Sequence, residues 1–144
     1  MIYLLYGQPG SGKTTLGKML ADHLGTPFII DGDEFREMFT NTNYNREGRE
    51  ENIRNANAVA TYLNKKSYPD GHVVISLVNP YKHLRQELRE NNVSQVVEVL
   101  LQSARELRKE YHVKDFEEGS PNSIMNTDRS TGDSWNYLKE ILRI

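Results

Sequence analysis

The opening of this chain constrains it more than any other stretch. Ile2-Tyr3-Leu4-Leu5-Tyr6 is a short, continuous apolar run that stops abruptly at Gly7. Gly7-Gln8-Pro9-Gly10-Ser11-Gly12-Lys13-Thr14 follows, and beyond it Leu16, Leu20 and Leu24 recur at helical spacing with Met19 beside them. A buried strand that enters a helix through a glycine-rich loop makes the loop N–H groups converge at the positive end of that helix. Glycine lets such a backbone turn at positive φ and approach an anion with no Cβ in the way. The eight residues fit G-x-x-x-x-G-K-[ST] in full, in the strand–loop–helix context the motif requires. The sequence thus predicts a nucleoside triphosphate cradle from Gly7, Gln8, Pro9, Gly10, Ser11, Gly12, Lys13, Thr14 and Thr15. Lys13 would bridge the β- and γ-phosphates, and the Thr14 hydroxyl would ligate Mg²⁺. ATP and Mg²⁺ are the expected cofactors.

Strand-like and helix-like segments alternate through the rest of the chain. Phe28-Ile29-Ile30 reads as a second strand, closed by Asp31-Gly32-Asp33 and followed by a short helix to about Thr40. A polar loop, Asn41 to Asn45, leads to a longer helix from about Arg49 to Lys66, with Ile53, Ala56, Val59, Ala60 and Leu63 inward. Val73 to Val78 is the most β-branched stretch and predicts a strand buried on both faces. Pro80 opens a helix carrying Leu84 and Leu88. Val93 to Leu101 reads as a fourth strand, Ser103 to Tyr111 as a charged helix, and His112 to Asn122 as irregular. Ile124-Met125 suggests a short fifth strand. Ser130, three residues before Asp133, caps a last helix with Leu138, Ile141 and Leu142 inward. This alternation predicts an α/β fold with a parallel sheet of five strands and helices on both faces.

Composition narrows the function. With 37% hydrophobic residues and 144 in all, the chain is expected to be one domain, residues 1–144. Eighteen basic against twenty acidic residues leave −2, so no global basic field recruits nucleic acid or anionic lipid. No apolar run approaches the ~18 residues of a membrane span. There is no cysteine, which removes thiolate metal sites and cysteine nucleophiles and fits a cytoplasmic protein. The four histidines form no metal-ligand or triad spacing and read as structural.

Ligands of open α/β sheets bind beyond the carboxyl ends of the strands, where Asp31 and Asp33 stand. Either carboxylate could orient an attacking hydroxyl or hold a magnesium-bound water. The alternative is that Asp33 caps the following helix and Asp31 closes a turn. Arg36, Arg46, Arg49 and Arg54 follow. They suit bidentate recognition of phosphate, sulfate or carboxylate, yet Arg46–Glu50–Arg54 is also a run of i,i+4 pairs on a solvated helix face.

In the order of these motifs the chain resembles the adenylylsulfate (APS) kinases, P-loop kinases that use ATP to phosphorylate the 3′-hydroxyl of adenosine 5′-phosphosulfate. The matching pieces are Gly7 to Thr14, Asp31-Gly32-Asp33 with Arg36, Arg49-Glu50-Glu51-Asn52-Ile53-Arg54, and Asn79-Pro80-Tyr81. The resemblance implies a P-loop kinase fold and that Lys13, Asp31 and Asp33 are catalytic. It also implies that Arg36, Arg49 and Asn52 contact the sulfonucleotide, and that Ile75, Ser76, Asn79, Pro80 and Tyr81 line its pocket. Tyr44 stands near a family phenylalanine that stacks on the substrate adenine, and Phe116 would supply the second wall. Asn79-Pro80-Tyr81-Lys82 stands where the family usually reads Ser-Pro-Tyr-Arg. The lid-like segment, about 105–122, is much shorter than the family's. That shortening supports a second reading, a kinase of another anionic nucleotide conjugate or a sugar, and a non-catalytic nucleotide-binding module is a third. The resemblance also allows a homodimer.

Overall fold

The computed structural model describes residues 1–105 and 108–144. Five strands, β1 (Ile2–Tyr6), β2 (Ile29–Asp31), β3 (Val73–Leu77), β4 (Val96–Gln102) and β5 (Ser123–Asn126), form one sheet in the order β2-β3-β1-β4-β5. Every pairing is parallel, with Leu4 level with Ile75 on one side and Glu98 on the other. The run before the glycine loop thus forms the middle strand, and β1 and β3 are buried at every position. Side-chain alternation divides β1 between two cores. Ile2, Leu4 and Tyr6 pack with Ile53, Ala56 and Ala60 of α3 (Arg46–Ser67) and Leu84 and Leu88 of α4 (Lys82–Asn91). Leu5 faces the opposite side, with Leu16 of α1 (Lys13–Leu24) and Leu138 of α5 (Thr131–Leu142). The short α2 (Gly32–Met38) packs against α3. Helices cover both faces, as the alternation of elements predicts.

The fourth strand starts at Val96 and not at Val93, which is exposed, and two further departures from the sequence expectation have a local reason. α3 starts at Arg46 rather than Arg49, because the Asn45 side chain accepts from the Gly48 N–H and caps the helix earlier. The charged helix expected over 103–111 does not form among the described residues, and positions 106 and 107 of that expectation lie outside them. The Asp128 carboxylate instead takes the Ser103 hydroxyl at 2.6 Å and the Ala104 N–H at 2.7 Å. Arg108 adopts a left-handed φ of 55°, and only a single 3-10 turn, Lys109–Tyr111, follows. No described helix is long and apolar enough to cross a membrane.

Candidate active site

The carboxyl ends of the strands open onto one cavity of about 660 Å³. β1 delivers the glycine loop to it. Gly10 and Gly12 take φ of 84° and 92°, the left-handed turns that bring the loop into the start of α1. Lys13 is only 9% exposed, and its Nζ donates to the Gln8 carbonyl at 2.9 Å and to the Ser11 hydroxyl at 3.3 Å. Burial pushes its ammonium down to about 8; Asp33 and Asp31 oppose that shift and Arg108 adds to it. The Ser76 hydroxyl of β3 donates to the Lys13 carbonyl at 2.9 Å, pinning the first turn of α1 to the sheet.

β2 delivers the two aspartates in different roles. Asp31 Oδ2 accepts from the Thr14 hydroxyl at 2.7 Å, while Oδ1 accepts from the Asp33 and Glu34 N–H groups as the cap of α2. Both of its oxygens are therefore in use, and the cap is Asp31 and not Asp33 as expected, because the Asp31 carboxylate reaches the N–H groups two and three residues on. Asp33 is largely exposed on the cavity wall, 3.7 Å from the Arg108 guanidinium. Among the described residues no group of three or more His, Cys, Asp or Glu side chains could hold a metal by themselves. The Thr14 hydroxyl beside Asp31 nonetheless suits Mg²⁺, which takes one or two protein oxygens and completes its shell with phosphate and water.

The opposite wall gathers Arg36, Tyr44, Arg49, Asn52, Asn79 and Pro80. The Arg36 guanidinium lies 4.1 Å from the Tyr44 ring centroid and donates to the Asn43 carbonyl at 2.9 Å. One face of Tyr44 is thereby already covered. Arg49 donates to the Tyr81 hydroxyl and to the Tyr44 carbonyl, each at 2.8 Å, and stands 3.8 Å from Asp115. Arg46 pairs with Glu50 and Asp115, and Arg54 with Glu50, so Arg54 keeps the surface role that the i,i+4 spacing allows.

Three expected acceptor residues lie away from this wall. Ile75 is wholly buried in the core. Tyr81 is also buried and reaches the site through Arg49, which its hydroxyl accepts from and whose guanidinium stands 5.8 Å from its ring centroid. Phe116 lies parallel to the Tyr6 ring, with centroids 6.2 Å apart, and packs on the core instead of facing Tyr44. Its aromatic character serves to anchor the segment after the 3-10 turn. That segment is fastened along its length. Gln8 donates to the Val113 carbonyl and accepts from the Val113 N–H, both at 2.8 Å. The His112 ring nitrogen meets the Pro9 carbonyl at 3.0 Å, and the Glu117 N–H donates to the Pro80 carbonyl at 2.8 Å.

Sequence reasoning missed the wall made by Arg105, Arg108, Thr127, Arg129, Thr131 and Ser134. It comes from beyond β4 and β5, and the only local signal was the strand-end position of Arg105 and Thr127. Thr127 donates from its hydroxyl to the Ser11 carbonyl at 2.9 Å, joining this wall to the glycine loop.

The adenylylsulphate kinase family model matches residues 1–127. The APS kinase CysC of Mycobacterium tuberculosis, solved in complex with AMPPNP and APS, is similar with a TM-score of 0.81 over 99% of this chain and 97% of that one, at 19% identity. An unliganded sugar kinase from Janibacter sp. HTCC2649 is similar at 0.72 over 99% and 94%, at 17% identity. Likeness at these identities speaks for the fold. Adenylate kinase of Chlamydia caviae is 53% identical over 36 residues, 25% of this chain and 17% of that enzyme. The chain spans less than a fifth of the length of the curated relatives it matches. The family match, by contrast, runs from the glycine loop through all five strands, and the chain belongs to the adenylylsulphate kinase family.

Proposed function

We propose that this protein transfers the γ-phosphoryl group of ATP to the 3′-hydroxyl of adenosine 5′-phosphosulfate, acting as one cytoplasmic kinase domain. The observation that carries this reading is a single cavity lined by the buried Lys13 of a phosphate loop, by Asp31 and Asp33, and by the guanidinium groups of Arg36 and Arg49. Family membership supports the acceptor, and so does the fold shared with an enzyme solved with AMPPNP and APS.

In the reaction the acceptor oxygen forms a bond to the γ-phosphorus as the bond to the β-phosphate oxygen breaks, and ADP leaves. Lys13 and the loop N–H groups hold the negative charge of the transferring group. Asp33, whose carboxylate is the less committed of the pair, orients the acceptor hydroxyl and takes its proton. Asp31 fixes the Thr14 hydroxyl and the start of α2. Thr14 and Asp31 would hold Mg²⁺, which supplies charge neutralisation on the β- and γ-phosphates. Arg36 and Arg49 bind the acceptor's anionic groups. The transition state is largely dissociative, so positioning and charge outweigh proton abstraction.

The short, fastened segment after β4 and the shared fold with a sugar kinase favour a second reading, phosphorylation of a sugar or another anionic alcohol. An acceptor screen by coupled ADP release, with the product weighed, separates the two. Gain of one phosphoryl mass on adenosine 5′-phosphosulfate carries the proposal. Turnover of another anionic alcohol and none of that compound transfers the assignment. Gel filtration with light scattering tests the homodimer.

A further inference from the structure

One carboxylate interrupts the apolar run of β4. Glu98 lies level with Leu4 in the middle of the sheet and is only 5% exposed. Both of its oxygens are paired, with Arg85 at 3.4 Å and with Arg89, two residues of α4. Arg85 is buried as well. Apolar groups of similar volume often replace such a buried ion cluster with no loss of stability, so packing alone does not account for it. The rest of the Arg85 guanidinium does. Its Nη1 donates to the Asn79 carbonyl at 2.7 Å and its Nη2 to the Glu117 carbonyl, while its central carbon lies 4.4 Å from the Tyr6 ring centroid. Asn79 holds a left-handed φ of +46°, a conformation that costs a residue other than glycine and persists where the surroundings fix it. Glu117 belongs to the fastened segment: its N–H donates to the Pro80 carbonyl, and two residues before it Asp115 stands 3.8 Å from Arg49. One buried side chain thus holds the turn after β3 and the segment after the 3-10 turn, two elements far apart in sequence that meet at the acceptor wall.

We propose that Arg85 is a positioning residue for the phosphoryl acceptor. Glu98 fixes the guanidinium, and the guanidinium fixes the turn after β3 and the segment carrying Asp115 at one separation, which sets the spacing of the acceptor wall. Arginine suits this task because its rigid fork spreads donors over three nitrogens, where lysine offers one. None of the hydrogen bonds of Arg85 among the described residues goes to the phosphate loop, so its influence falls on the acceptor. The inference rests on the proposed function in one respect, that the phosphoryl acceptor occupies this cavity.

The test compares Arg85→Lys and the paired variant, Arg85→Met with Glu98→Leu, in the full chain, with ATP and adenosine 5′-phosphosulfate as substrates. The paired variant removes the two buried charges together, and Arg89, 33% exposed, keeps Asn122 and water. Both variants are expected to raise the KM for adenosine 5′-phosphosulfate by about tenfold or more, with the KM for ATP changed by less than about twofold. A purely structural role would instead lower the melting temperature and leave both KM values of the folded enzyme at wild type, or raise the two alike. Either result overturns the inference while the proposed function stands. Arg85→Lys keeps a cation beside Glu98 and so stays folded, and it decides the matter on the same readout if the paired variant does not fold. A wild-type protein that does not phosphorylate adenosine 5′-phosphosulfate overturns the proposed function and the inference with it.

Discussion

The phosphate half and the acceptor half of the cavity are built in opposite ways. The phosphate half is one contiguous stretch, Gly7 to Thr15, in which the Lys13 ammonium is held from within by Gln8 and Ser11, while Thr14 is tied to Asp31 of β2. The acceptor half is assembled from the end of α2, the 41–45 loop, α3 and the turn after β3. Its arginines are held by the backbone carbonyls of the 41–45 loop and, for Arg49, by the Tyr81 hydroxyl and by Asp115. A contiguous site keeps its geometry because strand and helix fix both ends of one short loop. A distributed site depends on every element that brings a residue to it, so its specificity changes with substitutions far apart in sequence.

The largest expected effect falls on the contiguous half. Lys13→Ala should lower turnover by ~10²–10³ or more while the protein stays folded, since Lys13 packs on the loop and not in the core. Stopped assays and thermal unfolding check both parts. Near-wild-type turnover would remove the phosphate half from the mechanism. Asp33→Asn comes next, with kcat lower by about 10² at saturating Mg²⁺ and an unchanged melting temperature. Asp31→Ala should also destabilise the fold, by ~1 kcal/mol for the lost cap alone. Equal behaviour of the two variants would erase the division of labour between them.

Affinity for ATP should fall as pH rises through about 8, because burial leaves Lys13 partly neutral there and phosphate favours its charged form. Binding then takes up a proton above that pH and little below it. Titrations with AMPPNP at about pH 7 and about pH 9.5 measure the difference, and Lys13→Arg should flatten it. The smallest effect concerns the join between the halves. Gln8→Leu removes both bonds to Val113, and ADP release without any acceptor should rise several-fold as water gains access. Unchanged background hydrolysis would mean that the segment stays in place without Gln8.

The difference in construction also explains what the sequence discloses. The phosphate loop, the parallel sheet and the cap at Ser130 follow from local rules: apolar runs, helical spacing, glycine and hydroxyl chemistry. Arg36 and Arg49 stood among four arginines that residue type alone left open, and only resemblance to a family singled them out together with Asn79, because their meeting depends on how α2, α3 and β3 pack. Phe116 and Ile75 show the limit of that route. Motif position put them near the site, but packing on Tyr6 and on the core turned them elsewhere. Arg105 and Arg129 had no motif at all, and only closure of the sheet by β4 and β5 brings them to the cavity.

The central claim is that the two halves bind separate partners, and calorimetric titration of AMPPNP and of adenosine 5′-phosphosulfate into Lys13→Ala and Arg49→Ala tests it directly. Lys13→Ala should weaken AMPPNP and spare the sulfonucleotide, and Arg49→Ala should weaken the sulfonucleotide by about tenfold or more and spare AMPPNP. An Arg49→Ala protein that loses both ligands to the same degree, or neither, would contradict the account.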